Sequence, residues 1–150
     1  MNDVVVIDAS VAVARVLSEE FTGQARAFFD QNLDTGRLIV APPHFLSEVA
    51  NAVYQRYRRR DPLGQISEQE ADRALLAFWD LPIQPISPPG LYGLAYTFAK
   101  QHGVSSVYDA LYVVLAQLLE VELWTGDRRL HNTVHQAAPW VFFIGLHPAG

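Results

Sequence analysis

Val4-Val5-Val6-Ile7 is a run of four β-branched apolar residues that stops at Asp8. A run this short and unbroken, with no 3.6-residue period, predicts a strand buried on both faces. Val11, Ala12, Val13, Val16 and Leu17 then recur at helical spacing, so the pattern predicts strand, tight turn and helix, with Asp8 at the strand's carboxyl end. The alternation continues along the chain. Residues 21–33 carry a helical stripe of Ala25, Phe28, Phe29 and Leu33, and residues 38–41 form a second apolar strand. Pro42-Pro43 suits the entry to a helix over 44–59, striped by Phe45, Leu46, Val49, Val53 and Tyr57. A turn follows at Asp61-Pro62-Leu63-Gly64. Ser67 with Glu70 three residues on is a capping box, opening a helix striped by Ala71, Leu75, Phe78 and Trp79.

The second half repeats the theme. Residues 82–86 predict a proline-punctuated strand near a sheet edge. Helices are expected over 91–101, 107–119 and 128–136, strands over 121–125 and 140–144, and a tail over 145–150. Alternating strands and helices give a parallel sheet covered on both faces. The expected fold is a three-layer α/β/α sandwich with a central parallel sheet of about five strands, as one domain over 1–150.

Composition narrows the picture. The chain has 150 residues, half of them hydrophobic and 18% charged, which builds a folded core rather than a disordered segment. It has no cysteine, so disulfides and thiolate chemistry are excluded. The start of the chain lacks the form of a signal peptide, and the apolar stretch 110–119 is too short to span a bilayer. A cytoplasmic protein with no membrane association is expected. The net charge of −5 argues against a nucleic-acid partner, but four of the eleven basic residues (Arg56, Arg58, Arg59, Arg60) crowd into one short stretch. Lys100 is the only lysine, and arginine is the better bidentate phosphate donor.

Four acids change the picture most. Asp8 ends the first strand; Ser10 fits the cap of the next helix at least as well, which leaves Asp8 without a structural duty. Glu48 lies one turn into its helix among Phe45, Leu46, Val49 and Ala50; Asp109 opens the apolar helix; Asp127 follows a strand directly. Each could serve a helix dipole or a turn. In a parallel sheet, however, all four positions share one edge of the domain. Like charges gathered there repel unless protonated or bridged by a hard divalent cation, Mg²⁺ or Mn²⁺, of the kind that serves phosphate chemistry.

The motifs Val6-Ile7-Asp8-Ala9-Ser10, Ser47-Glu48-Val49-Ala50-Asn51-Ala52, Tyr108-Asp109-Ala110-Leu111-Tyr112 and 123–130 (Leu-Trp-Thr-Gly-Asp-Arg-Arg-Leu) resemble, in order and spacing, those of the PIN-domain ribonucleases. The chain looks most like the VapC-type toxins of toxin–antitoxin pairs, over residues 4–144. The resemblance implies an acidic metal site of Asp8, Glu48, Asp109 and Asp127. Ser10 and Thr125 would hydrogen-bond the carboxylates, water on the metal, or phosphate. It also implies a Mg²⁺-dependent endoribonuclease leaving 5′-phosphate and 3′-hydroxyl ends, a cognate antitoxin that covers the cleft, and a homodimer.

Other features stay open at this level. Arg15, Arg128 and Arg129 are candidate phosphate contacts, and Arg58 and Arg59 could meet RNA, an antitoxin or only water. His131 and His135 are four apart but lack the metalloprotease glutamate between them, which favours surface histidines; His44, His102 and His147 show no ligand spacing. Tyr54, Tyr57, Trp79 and Trp124 fall on apolar stripes, which favours core packing or a dimer seam over base stacking. A haloacid-dehalogenase-like phosphatase needs a second aspartate where Ser10 stands. A binding module that holds RNA or a protein without cutting differs from the nuclease in retaining RNA without metal.

Overall fold

Four valine and isoleucine side chains form β1 (Val4–Ile7), and its last three residues are fully buried. The structure is a computed structural model describing residues 3–59 and 64–149. β1 lies at the centre of a five-stranded, all-parallel sheet in the order β3-β2-β1-β4-β5. Its other strands are β2 (Leu38–Ala41), β3 (Ile83–Pro85), β4 (Leu123–Thr125) and β5 (Val141–Phe143). β1 pairs Val5 with Ile39 on one side and Val6 with Leu123 on the other. Helices cover both faces of the sheet, which is why β1, at its centre, needs no polar face.

The strand order fixes where a site can lie. From β1 the chain moves outward through β2 to β3, then crosses back to β4 on the other side of β1. The switch point is between β1 and β4, and ligand crevices open outside the carboxyl ends of the strands at such a point. α1 (Ala9–Val16), α2 (Thr22–Asp34), α3 (Phe45–Arg58) and α4 (Glu68–Trp79) pack on one another as one layer. α5 (Leu91–His102) and α6 (Val107–Leu119) pack together, with α6 against β1 and β4, and α7 (Arg128–Val134) lies against β4 and β5. The expected three-layer architecture is present. α6 is buried continuously from Ala110 to Ala116, which explains its lack of an amphipathic pattern.

Local signals operate as expected in several places. Ser67 and Glu70 form the reciprocal capping box of α4. β3, with Pro85 in it, is an edge strand. Gly103 ends α5 in the left-handed conformation that glycine adopts without strain.

The stripes are less accurate than the elements. Leu33 is exposed, and Asn32 takes the buried position, its amide donating to the Phe28 carbonyl at 2.7 Å. Tyr54 (55%), Tyr57 and Trp79 (62%) are exposed rather than packed in the core, because buried Val49 and Val53 on α3 and Ala71, Ala74 and Phe78 on α4 already fill the inner faces. Trp124 is half-buried against Phe28, Phe142 and His147. Part of the expected tail is a 3-10 turn at Ile144–Leu146. Arg60 and the turn residues 61–63 lie outside the described residues, as does Gly150. No helix among the described residues is long and apolar enough to cross a membrane.

Candidate active site

Asp8 is the most constrained of the four acids. It is 6% exposed and is itself the N-cap of α1, accepting the Ser10 backbone N–H at 3.1 Å. The capping duty assigned to Ser10 thus falls to Asp8, and the Ser10 side chain is free for another task. Its hydroxyl accepts the Gly126 N–H at 2.7 Å and donates to Asp8 Oδ1. Thr125, fully buried, repeats the arrangement: its hydroxyl accepts the Asp127 N–H at 3.0 Å and donates to Asp8 Oδ2 at 2.5 Å. Each hydroxyl has its lone pair taken by a backbone donor from the turn after β4, so its proton points at Asp8. Two relays thereby tie the end of β1 to the end of β4 across the switch point.

These donors favour the carboxylate, but burial outweighs them. Burial, with smaller contributions from the charges of Asp127 and Asp109, pushes Asp8 up to about 7. Asp109, in the first turn of α6 under the Ser106 cap, is also raised, by burial and then by Asp127 and Glu48. The Ser105 hydroxyl donates to Asp109 Oδ2 at 3.3 Å. Asp127 caps α7 through the Leu130 N–H at 3.1 Å and lines one cavity together with Asp109. Asp127 and Asp109 thus both raise Asp8, and Asp127 and Glu48 both raise Asp109.

Glu48 sits differently. Tyr112 donates its hydroxyl to Glu48 Oε1 at 2.6 Å, and His44 Nε2 lies 3.0 Å from the same oxygen. Burial alone would raise Glu48, yet these two contacts hold it below the usual carboxylate range. Tyr112 stays protonated, its phenol raised by burial and by Glu48. The His44 ring packs on Tyr112 with centroids 4.7 Å apart and on Tyr108 at 5.8 Å. Sequence reading missed both partners of Glu48. The available signal was the four-residue spacing of His44 and Glu48 on one helix, whereas the spacing of 64 residues between Tyr112 and Glu48 carries none.

The arginines divide. Arg128 is paired with Glu20 at 3.1 Å, its guanidinium over the rings of Phe21 and Phe143. Arg129 lines the cavity that holds Asp109 and Asp127. Arg15 is in the last turn of α1, at the far end from Asp8, with its buried Nε unpartnered. Arg56 pairs with Glu19 at 3.0 Å and donates to the Gly64 carbonyl. Arg58 and Arg59 are exposed at the end of α3, about 15 Å along the helix from Glu48 at 1.5 Å per residue. The fold does not bring that run to the acids. His131 and His135 stack on each other on α7 and its C-cap, 5.2 Å apart. Among the described residues, no three His, Asp or Glu side chains close into a ready-made ligand cage.

Acidic side chains at the carboxyl edge of an all-parallel sheet, on either side of its switch point, place the protein among α/β folds with a candidate acidic site. The PIN domain family model matches residues 5–135, and the chain belongs to that family. Its relatives include VapC ribonucleases. It is 34% identical over 127 residues to Ribonuclease VapC3 of Pyrobaculum aerophilum, covering 83% of this chain and 90% of that one. It is 35% identical over 136 residues to VapC ribonuclease Mb0985 of Mycobacterium bovis, covering 90% and 94%. The crystal structure of PAE2754 from Pyrobaculum aerophilum superposes with a TM-score of 0.68 at 21% identity, over 97% of this chain and 93% of that one, and shares its fold.

Proposed function

We propose that this protein is a metal-dependent endoribonuclease, hydrolysing RNA phosphodiester bonds at the crevice formed by Asp8, Glu48, Asp109 and Asp127, and that it is the toxin partner of a small antitoxin protein. The observation that carries the reading is the doubly hydrogen-bonded Asp8. A buried carboxylate held by two hydroxyls, with Asp109 and Asp127 raising its proton affinity further, is costly to the fold when ionised, a cost that a bound cation would offset. The donor set is all oxygen, which fits Mg²⁺ or Mn²⁺ and not a soft metal. Asp8, Asp109 and Asp127 would hold the ion, with Glu48 completing its shell or orienting water. When bound, the ion supplies charge neutralisation at the phosphate and a lowered pKa for the attacking water.

The chain's own residues prepare the rest. Ser10 and Thr125 each donate to one oxygen of Asp8, which fixes the orientation of its carboxylate. Tyr112 and His44 keep Glu48 ionised, which suits it to hold a cation or to orient a water through a hydrogen bond, whereas Asp8 keeps its proton up to about pH 7. The relatives are named ribonucleases, which supports RNA as the substrate.

Incubation of the protein with end-labelled total RNA tests this, in Mg²⁺, in Mn²⁺ and in EDTA, beside Asp8→Asn. Discrete fragments that need metal and vanish in the variant are expected. RNA retained but uncut by folded protein would make it a binding module instead.

A further inference from the structure

We propose that Arg129 forms a phosphate subsite beside the carboxylates, gripping the RNA phosphate next to the one that is cut; this rests on the nuclease reading above. A cavity of about 220 Å³ opens between the loop before α6 and the first turns of α7, walled by Ser105, Asp109, Asp127, Arg129 and Thr133. One side carries two of the four acids and the other a guanidinium. Arg129 makes no ion pair among the described residues, although two carboxylates line the same cavity. The Thr133 hydroxyl donates to the Arg129 carbonyl at 2.8 Å and fastens the helical turn from which the side chain extends.

Arg128 makes the contrast. One residue away on α7, and so about 100° around the helix, it is engaged by Glu20 and laid over two phenyl rings. The two arginines have separate tasks: Arg128 fastens α7 to the start of α2, and the Arg129 guanidinium has no hydrogen-bond or ion-pair partner among the described residues. A free guanidinium matches a phosphodiester, to which it donates two parallel hydrogen bonds. The walls are more polar than apolar, with Val104 and Leu130 the apolar side chains and no aromatic ring to stack on, so the cavity suits a backbone anion better than a base. A free anion would be repelled by Asp109 and Asp127, whereas a phosphate tethered to an engaged strand arrives at high effective concentration. The contact fixes the register of the strand and reads no sequence.

The test measures binding of a fluorescent mixed-sequence single-stranded RNA in Mg²⁺ across a salt series, in the Asp8→Asn background so that the probe survives. It compares Arg129→Gln, Arg128→Gln and Arg26→Gln, the last an exposed arginine of α2. Cleavage by the same three changes in the otherwise wild-type chain is followed in parallel. Arg129→Gln is expected to weaken binding about tenfold, to lower the slope of log affinity against log salt by about 0.7, and to raise KM more than it lowers kcat. Arg26→Gln keeps the slope, and Arg128→Gln lowers the melting temperature instead. An Arg129→Gln slope equal to that of Arg26→Gln, in a protein that binds and cuts RNA, overturns the subsite and leaves the nuclease standing. A wild-type protein that neither binds nor cuts RNA overturns both.

Discussion

Asp8 and Glu48 are both carboxylates of the proposed site, and the fold displaces their pKa values in opposite directions. Asp8 is sealed between two strand ends, receives a hydroxyl proton on each oxygen, and is still driven up to about 7 because burial outweighs those bonds. Glu48 is half-buried, meets a phenol and an imidazole on a single oxygen, and is driven down. The difference teaches that hydrogen bonds alone do not decide ionisation. At Asp8 they offset part of a large desolvation cost, and at Glu48 they exceed a smaller one. Two environments thus split the pair into a group that holds its proton up to about pH 7 and one that is already an anion well below it.

Replacing Asp8 breaks the comparison most completely. Asp8→Asn should reduce metal-dependent cleavage by more than about 100-fold, beyond the usual cost of losing a supporting group around a metal. It should also stabilise the metal-free fold at alkaline pH. The folded-state pKa of Asp8 is raised, so the proton stabilises the folded state, and that stability is lost as pH rises from about 4 through about 7. The buried anion therefore costs the wild-type protein up to about 4 kcal/mol above pH 7 in EDTA, from 1.36 kcal/mol per unit, an upper bound. Thermal unfolding in EDTA should find the variant more stable near pH 8 and the two equal near pH 4. A variant less stable at both would mean that the hydroxyls, not burial, dominate.

At the other corner, Tyr112→Phe removes one of the two groups that hold Glu48 down. The Glu48 pKa should rise, so the acid limb of the pH–rate profile moves to higher pH, and cleavage at pH 7 falls about tenfold. A deleted buried hydroxyl also costs about 1 kcal/mol. If the profile of Tyr112→Phe overlays the wild type, Glu48 does not need its phenol, and its low pKa owes more to His44.

These two corners were unequally legible in the sequence. Asp8 stands out because a continuous apolar run ends at it, and Asp127 because it follows the short strand 121–125 across a single glycine; the parallel sheet that such strands imply places their ends on one edge. The strand order, and with it the switch point between β1 and β4, was not legible: it is set by which strands pair, and five strands of only three or four residues carry little pattern to choose a neighbour. Glu48 could be found by its place, but not its ionisation, because Tyr112 reaches it from another layer. Tyr54 and Trp79 misled for a related reason. They extend a helical stripe, but smaller residues beside them already fill the inner face, and spacing does not register how deep a face is buried.

Thr125→Val tests how far the Asp8 corner depends on its relays. Valine keeps the buried volume but leaves Asp8 Oδ2 without its donor and the Asp127 N–H without its acceptor. The expected loss is about 1–3 kcal/mol at neutral pH. Part of the loss should be recovered at low pH, where Asp8 is protonated and can donate. Denaturant melts at two pH values measure this, and equal losses at both would place the cost in packing alone.

The smallest change probes the slack between the strand ends. A Cβ built on Gly126 lies 3.2 Å from Ser10 Oγ and 3.3 Å from Ile144 Cγ2, tighter than ordinary contact on two sides. Ser10 Oγ cannot simply retreat, because it accepts the Gly126 N–H and donates to Asp8. Gly126→Ala should therefore lengthen the Ser10 relay by a few tenths of an ångström and cost about 1 kcal/mol, at the low end for overpacking. Its stability loss should be accompanied by a lower affinity for Mn²⁺, read by calorimetry, because the carboxylate it disturbs is Asp8. Ala50→Gly on α3 supplies the matching perturbation near Glu48. It lowers helix propensity by about 1 kcal/mol without touching either partner of that carboxylate. Equal stability losses with unequal metal affinities would locate the rigidity of the site in the junction of β1 with the turn after β4, and equal affinities would spread it over both corners.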